Sequence, residues 1–228
     1  MTRIKYNRSI AFTLAEVLIT IGIIGVVAAI TIPNLIANYQ KHQTVQQLKK
    51  TYADLQNIIR LSVVENGEAS GWEYPISENN IQGCKSFVET YFIPFVKGGN
   101  FKIQKELYKM KNLNGNESIA PTCGFEMIDG RIISFYPNTP NNYIWLFADI
   151  NGMQGPNRIG QDIFVFNAQN FRNSEYRIRA WNETNELNEL YTGSYACSKT
   201  NENGRYVGWN CTAVIVKNNW KISKDYPW

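Results

Sequence analysis

The chain has 228 residues, enough for one domain of ordinary size or for one domain with an appendage. With 44% hydrophobic and 18% charged residues its average is globular, which excludes a disordered chain. The net charge of +4 does not mark a nucleic-acid binder. Arg3, Lys5 and Arg8 all precede the first apolar run, and without them 20 basic side chains face 19 acidic ones.

Residues 1–11 are short, polar and basic, the composition of a targeting segment. Residues 12–32 follow with a single charge, Glu16. A helix of that length rises roughly 32 Å, about the thickness of a bilayer's hydrocarbon core, so this segment is expected to span a membrane. Residues 33–66 continue the helix with a changed face. Val45, Leu48, Tyr52, Leu55 and Ile59 recur at spacings of three and four, an apolar stripe suited to pack on a sheet rather than to form a coiled-coil seam. Asn66-Gly67 supplies the helix stop.

Beyond Gly67 the period changes. A short helix is expected within 84–96. Asp129-Gly130, between Phe125-Glu-Met-Ile and Arg131-Ile-Ile-Ser-Phe135, predicts a hairpin. Tyr143–Asp149, Asp162–Phe166, Tyr176–Trp181 and Thr212–Lys217 read as further strands. No helices are expected between them, so the sheet is predicted to be antiparallel.

Cys84, Cys123, Cys197 and Cys211 all follow the apolar run. An even count on the exported side reads as two disulfides, and no C-x-x-C spacing suggests zinc. Four cysteines allow three pairings. The sequential one, Cys84–Cys123 with Cys197–Cys211, is favoured because each closes a short loop, though sequence alone leaves the choice open.

The head of the chain carries the most specific pattern. Ser9-Ile10-Ala11-Phe12-Thr13-Leu14-Ala15-Glu16, ahead of a long apolar run, closely resembles the cleavage and methylation motif of type IV prepilins and type II secretion pseudopilins. The resemblance covers about the first 40 residues. It implies a cut by prepilin peptidase between Ala11 and Phe12, methylation of the new amine, and Glu16 as the fifth residue of the trimmed chain. Gly25 and Pro33 match positions where that family weakens the helix, which proline does by removing a backbone donor. Ala11 departs from the family, which usually has glycine there. A carboxylate in an apolar run wants a partner. The one implied is the Phe12 amine of a neighbouring subunit, a charge that exists only after the cut.

The same resemblance implies a single-pass inner-membrane protein with an exported head, later part of a cell-surface or periplasmic filament. Its implied partners are other pilin or pseudopilin subunits, an inner-membrane assembly platform and membrane lipid. Val27-Ala28-Ala29 would instead suit an ordinary signal peptidase and release a secreted domain, but the apolar run is too long for that reading.

Asp149, Asn151, Asn157 and Asp162 crowd one glycine-rich segment, Asp149-Ile-Asn-Gly-Met-Gln-Gly-Pro-Asn-Arg-Ile-Gly-Gln-Asp162. Ca²⁺ takes six to eight oxygens from such loops, and these four residues are its candidate ligands. The segment is not an EF-hand, and it is similar to one found in many prepilin-like proteins. The competing reading is turn chemistry, because Asn-Gly and Gly-Pro-Asn build turns without an ion.

Enzyme chemistry finds no support. His42 is the only histidine, and no catalytic triad, phosphate-cradling loop or H-E-x-x-H is present. The expectation is therefore an α+β chain: leader 1–11, membrane helix 12–32, amphipathic helix 33–66 and a disulfide-bonded β-rich head 67–228. It would be a structural filament subunit, with a ligand-binding minor or tip pilin as the alternative.

Overall fold

A computed structural model describes residues 12–75, 77–96, 98–102, 109–138, 143–168, 177–202 and 204–228. Helix α1 runs Leu14–Asn66 and stops where expected, with Gly67 in the left-handed region at φ +76°. Helix α2 (Ile81–Tyr91) is capped by Asn80, whose side chain accepts the Gly83 N–H at 2.8 Å. A six-stranded sheet follows: β1 (Asn100–Lys102), β2 (Cys123–Glu126), β3 (Ile132–Asn138), β4 (Tyr143–Asp149), β5 (Ile163–Asn167) and β6 (Arg179–Ala180). Its spatial order is the chain order, and every neighbouring pair is antiparallel. Helix α3 (Cys211–Lys217) is the last regular element among the described residues. The expected α+β class, with a long N-terminal helix and a C-terminal antiparallel sheet, is the observed one.

The chain divides into two compact units inside α1, between Lys41 and His42. The C-terminal part of α1 thus belongs with the sheet rather than preceding it. The reason is the apolar stripe. Val45, Leu48, Leu55 and Ile59 are buried, with Tyr52 partly so, and Thr51, Ile58 and Ser62 join them.

The sheet of this second unit is covered on both faces. Phe135, Leu146, Ala148, Phe164 and Phe166 share one core with α1 and α2. Trp145, Phe147, Ile163 and Val165 point into another, with Trp181 and Trp209. That is why Tyr143–Asp149 reads as a continuous apolar run although its sheet is antiparallel. The two disulfides are Cys84–Cys123, tying α2 to β2, and Cys197–Cys211, tying a loop to the start of α3.

Two expectations need correction. Thr212–Lys217 is not a strand but most of α3: short β-branched runs carry no decisive period, and tertiary packing outweighs propensity. The helix nonetheless does one strand's work, because the Thr212 hydroxyl accepts the Val165 N–H of β5 at 2.9 Å. The strand expected at Tyr176–Trp181 contracts to Arg179–Ala180, and Tyr176 lies outside the described residues. The Asp129-Gly130 hairpin is present. It closes through the bonds of Met127 N–H to Arg131 C=O at 2.8 Å and Gly130 N–H to Met127 C=O at 2.9 Å.

Candidate functional site

The first unit holds the residues picked out at the head of the chain. Ala11 lies outside the described residues, and Phe12 is 81% exposed. Thr13 and Glu16 form a reciprocal cap at the start of α1. The Thr13 N–H and hydroxyl donate to Glu16 Oε2 at 2.8 and 2.9 Å, and the Glu16 N–H donates to Thr13 Oγ1 at 3.2 Å. The sequence reading passed over this cap, although its Thr-x-x-Glu spacing is a legible signature.

Helix α1 is continuous through Gly25 and Pro33. Around Pro33, which has no N–H to give, side chains bond the preceding turn: Thr31 Oγ1 to the Val27 carbonyl at 2.9 Å and Asn34 Nδ2 to that of Ile30 at 3.4 Å. The large apolar side chains from Phe12 to Ile36 are exposed throughout. This is a helix near the N-terminus that is long and apolar enough to cross a membrane.

In the second unit, the β4–β5 loop brings the four candidate ligands together as a closed turn. Asp162 is buried, and its two oxygens accept the Asn157 N–H at 2.8 Å and the Arg158 N–H at 2.6 Å. Asn151 Nδ2 reaches Asp162 Oδ2 at 3.4 Å, and Asp149 Oδ1 accepts the Asn151 N–H at 3.2 Å. Burial pushes the Asp162 carboxyl up, against the opposing pull of these amide donors. The bonds are those of turn chemistry, with Gly155-Pro156 cis and Asn157 in the left-handed region. Among the described residues no group of three or more His, Cys, Asp or Glu side chains gathers around a common point.

A second cluster joins α1 to the β2–β3 turn. Arg131 is buried and donates through Nη1 to Thr51 Oγ1 (2.8 Å), through Nη2 to Asp54 Oδ2 (2.5 Å) and through Nε to both Asp129 oxygens (2.9 Å). Lys50 pairs with Asp129 at 2.7 Å. Burial opposes ionisation of Asp129, but the hydrogen bonds from Arg131 and Lys50 prevail and hold its carboxyl well below the usual range. The cluster borders a cleft of ≈ 420 Å³ lined also by Ile58, Phe95, Met127 and Ile128. Nothing in the linear spacing links Asp54 to Arg131, so sequence reasoning missed it.

These features define a disulfide-bonded α+β protein with one helix able to cross a membrane near its N-terminus. The chain belongs to a family of unknown function (DUF6613), whose model matches residues 34–228. No curated protein matches it significantly. No solved structure does either.

Proposed function

We propose that this chain is a prepilin-like subunit, cut between Ala11 and Phe12 and assembled through its N-terminal helix into a type IV pilus or type II secretion pseudopilus. The observation that carries the reading is the stretch of α1 from Phe12 to Ile36, apolar and exposed, with the one acid of that stretch, Glu16, held at its start by Thr13. A bilayer covers such a helix before assembly, and neighbouring helices cover it in a fibre. In this reading the work is structural: prepilin peptidase trims the chain, and the Phe12 amine of a neighbour neutralises Glu16 and sets the register between helices. The disulfides suit a head domain exported to an oxidising compartment.

Intact mass and N-terminal sequencing of the protein from its native membrane test this. The expected result is a chain beginning at Phe12 with the mass of one added methyl group. A start near Ile30, or an uncut Met1, would refute the filament reading and make the second unit a released or statically anchored module.

A further inference from the structure

We propose that the aromatic surface formed by Tyr136, Tyr195, Tyr206 and Arg205, above Trp145, is a binding site for a neutral glycan. It lies on the face of the sheet opposite α1, within the second unit, and does not depend on the filament reading.

The backbone holds the rings in place. Tyr136 on β3 pairs in register with Trp145 on β4, and their rings stack with centroids 5.7 Å apart. Tyr195 and Tyr206 come from two segments of one loop joined by backbone bonds. The Tyr206 N–H donates to the Ser194 carbonyl at 3.1 Å, and the Asn210 N–H to the Tyr195 carbonyl at 3.0 Å. The Cys197–Cys211 disulfide staples the same loop. The two rings lie 5.3 Å apart and within 10° of parallel, so little side-chain entropy remains to be lost on binding. Trp145 stands between Tyr136 and Tyr206, 6.4 Å from the latter ring. Arg205 is exposed, and its guanidinium sits over the Tyr206 ring at 5.5 Å, which marks a ring face turned to solvent.

The chemistry of this surface suits a sugar. Aromatic rings take the C–H face of a pyranose, while phenol hydroxyls both give and accept the hydrogen bonds its hydroxyl groups need. Burial, Glu78 and Tyr206 push the Tyr136 phenol up and Arg205 opposes them, which puts one carboxylate and one guanidinium beside this ring. Those two charges balance, so the surface lacks the positive excess that nucleic-acid phosphates require. Below the tyrosines, Trp145 Nε1 and Trp209 Nε1 are buried and have no hydrogen-bond partner. A buried donor left unpaired is unfavourable, and an oxygen-rich ligand offers the acceptor it lacks. Size separates a glycan from a protein partner. A tyrosine can bury roughly 150–250 Å², so three half-buried rings offer roughly 300 Å², well short of the roughly 800 Å² per partner of a stable protein interface. That area fits one or two sugar rings.

The test is isothermal titration of the full chain, solubilised in a detergent without a sugar headgroup, with chitotetraose and with maltotetraose. At least one of the two is expected to bind with a Kd below about 1 mM. Tyr136→Phe and Tyr206→Phe keep the rings and remove one hydroxyl each, and each should weaken binding about three- to tenfold. Arg205→Ala, at an exposed position, should weaken it by a similar factor. Tyr206→Ala should abolish it; if that variant does not fold, the two phenylalanine variants decide, provided their thermal transitions match the wild type.

Binding of neither saccharide at about 10 mM would overturn the proposal. So would binding that Tyr136→Phe, Tyr206→Phe and Arg205→Ala all leave unchanged, since the sugar would then sit elsewhere. Self-association of the chain that the same variants abolish, with no response to either saccharide, would assign the surface to a second copy instead. None of these outcomes bears on the cut at Phe12, so the filament reading stands or fails separately.

Discussion

Replacing Arg131 with methionine probes what joins α1 to the sheet of the second unit. Methionine keeps the unbranched stem and most of the volume but removes the guanidinium fork. Lost are the bonds to Thr51, Asp54 and Asp129. A hydrogen bond to a charged group contributes about 1.5–3 kcal/mol when desolvated, and removing one partner of a fully buried pair costs about 3–5 kcal/mol. Neither figure applies in full. The Asp54 and Asp129 side chains are 36% and 33% exposed, so water recovers part of their solvation. Thr51 keeps its bond to the Gln47 carbonyl. The net loss expected is about 2–3 kcal/mol, which for a unit of this size lowers Tm by about 5–10 °C. Tryptophan fluorescence reports the transition, because Trp145 and Trp209 are buried in the second core. The assay is thermal unfolding of the detergent-solubilised full chain, with Arg131→Lys as a second variant that should recover only part of the loss. A shift below about 2 °C for Arg131→Met would refute the reasoning and show that the cluster only balances its own desolvation.

Three further outcomes follow from the same unit. Gly160 sits at φ +85°, and a Cβ there would lie 2.8 Å from Cys211 Sγ, an atom fixed by its disulfide. Gly160→Ala should therefore destabilise by about 2–4 kcal/mol, read as a lower urea midpoint, and Gly155→Ala, which meets nothing within 4 Å, should be much milder. The depressed Asp129 carboxyl gives stability that is present above its unfolded pKa of about 4 and declines as pH falls below it. Urea midpoints measured from pH 7 to 3 should fall more steeply for the wild type than for Asp129→Asn. In the β4–β5 loop, Asp162 is already taken up by backbone amides, so Tm in millimolar Ca²⁺ and in EDTA should agree within about 1 °C. A rise of several degrees with Ca²⁺ would instead support the ligand reading of Asp149, Asn151, Asn157 and Asp162.

What was legible in the sequence was local. The stop at Asn66-Gly67, the 3,4-spaced stripe from Val45 to Ile59 and the Asp129-Gly130 hairpin each depend on residues close along the chain, and the sequential disulfides, 39 and 14 residues apart, follow the preference for the shorter loops. The structure agrees with all four. The failures were non-local. Thr212–Lys217 has the composition of a strand, but as a helix it is held by the disulfide at Cys211 and by the bond from the Val165 N–H, on a strand 47 residues away, to the Thr212 hydroxyl. Arg131 reads as an ordinary charge at the end of a hairpin until the fold brings Asp54, 77 residues earlier, within 2.5 Å. The Thr13–Glu16 cap is also local, and its Thr-x-x-Glu spacing is legible in the sequence.

One energetic comparison separates the two ends of α1. Fourteen large apolar side chains from Phe12 to Ile36 are 44–81% exposed in the single chain. Covering what remains exposed is worth on the order of 20 kcal/mol, at about 1.5–3 kcal/mol for each fully buried side chain. That is larger than the roughly 5–15 kcal/mol that keeps an ordinary domain folded. The second unit already uses its α1 stripe to cover the sheet, so its burial is satisfied within one chain; the segment from Phe12 to Ile36 is satisfied only in an apolar phase. A bilayer and a bundle of like helices both supply one, and passing from the first to the second changes little apolar exposure. In the proposed fibre apolar burial therefore favours neither phase, and Glu16, the only charged residue between Phe12 and Ile32, adds a polar contact that packing alone does not supply.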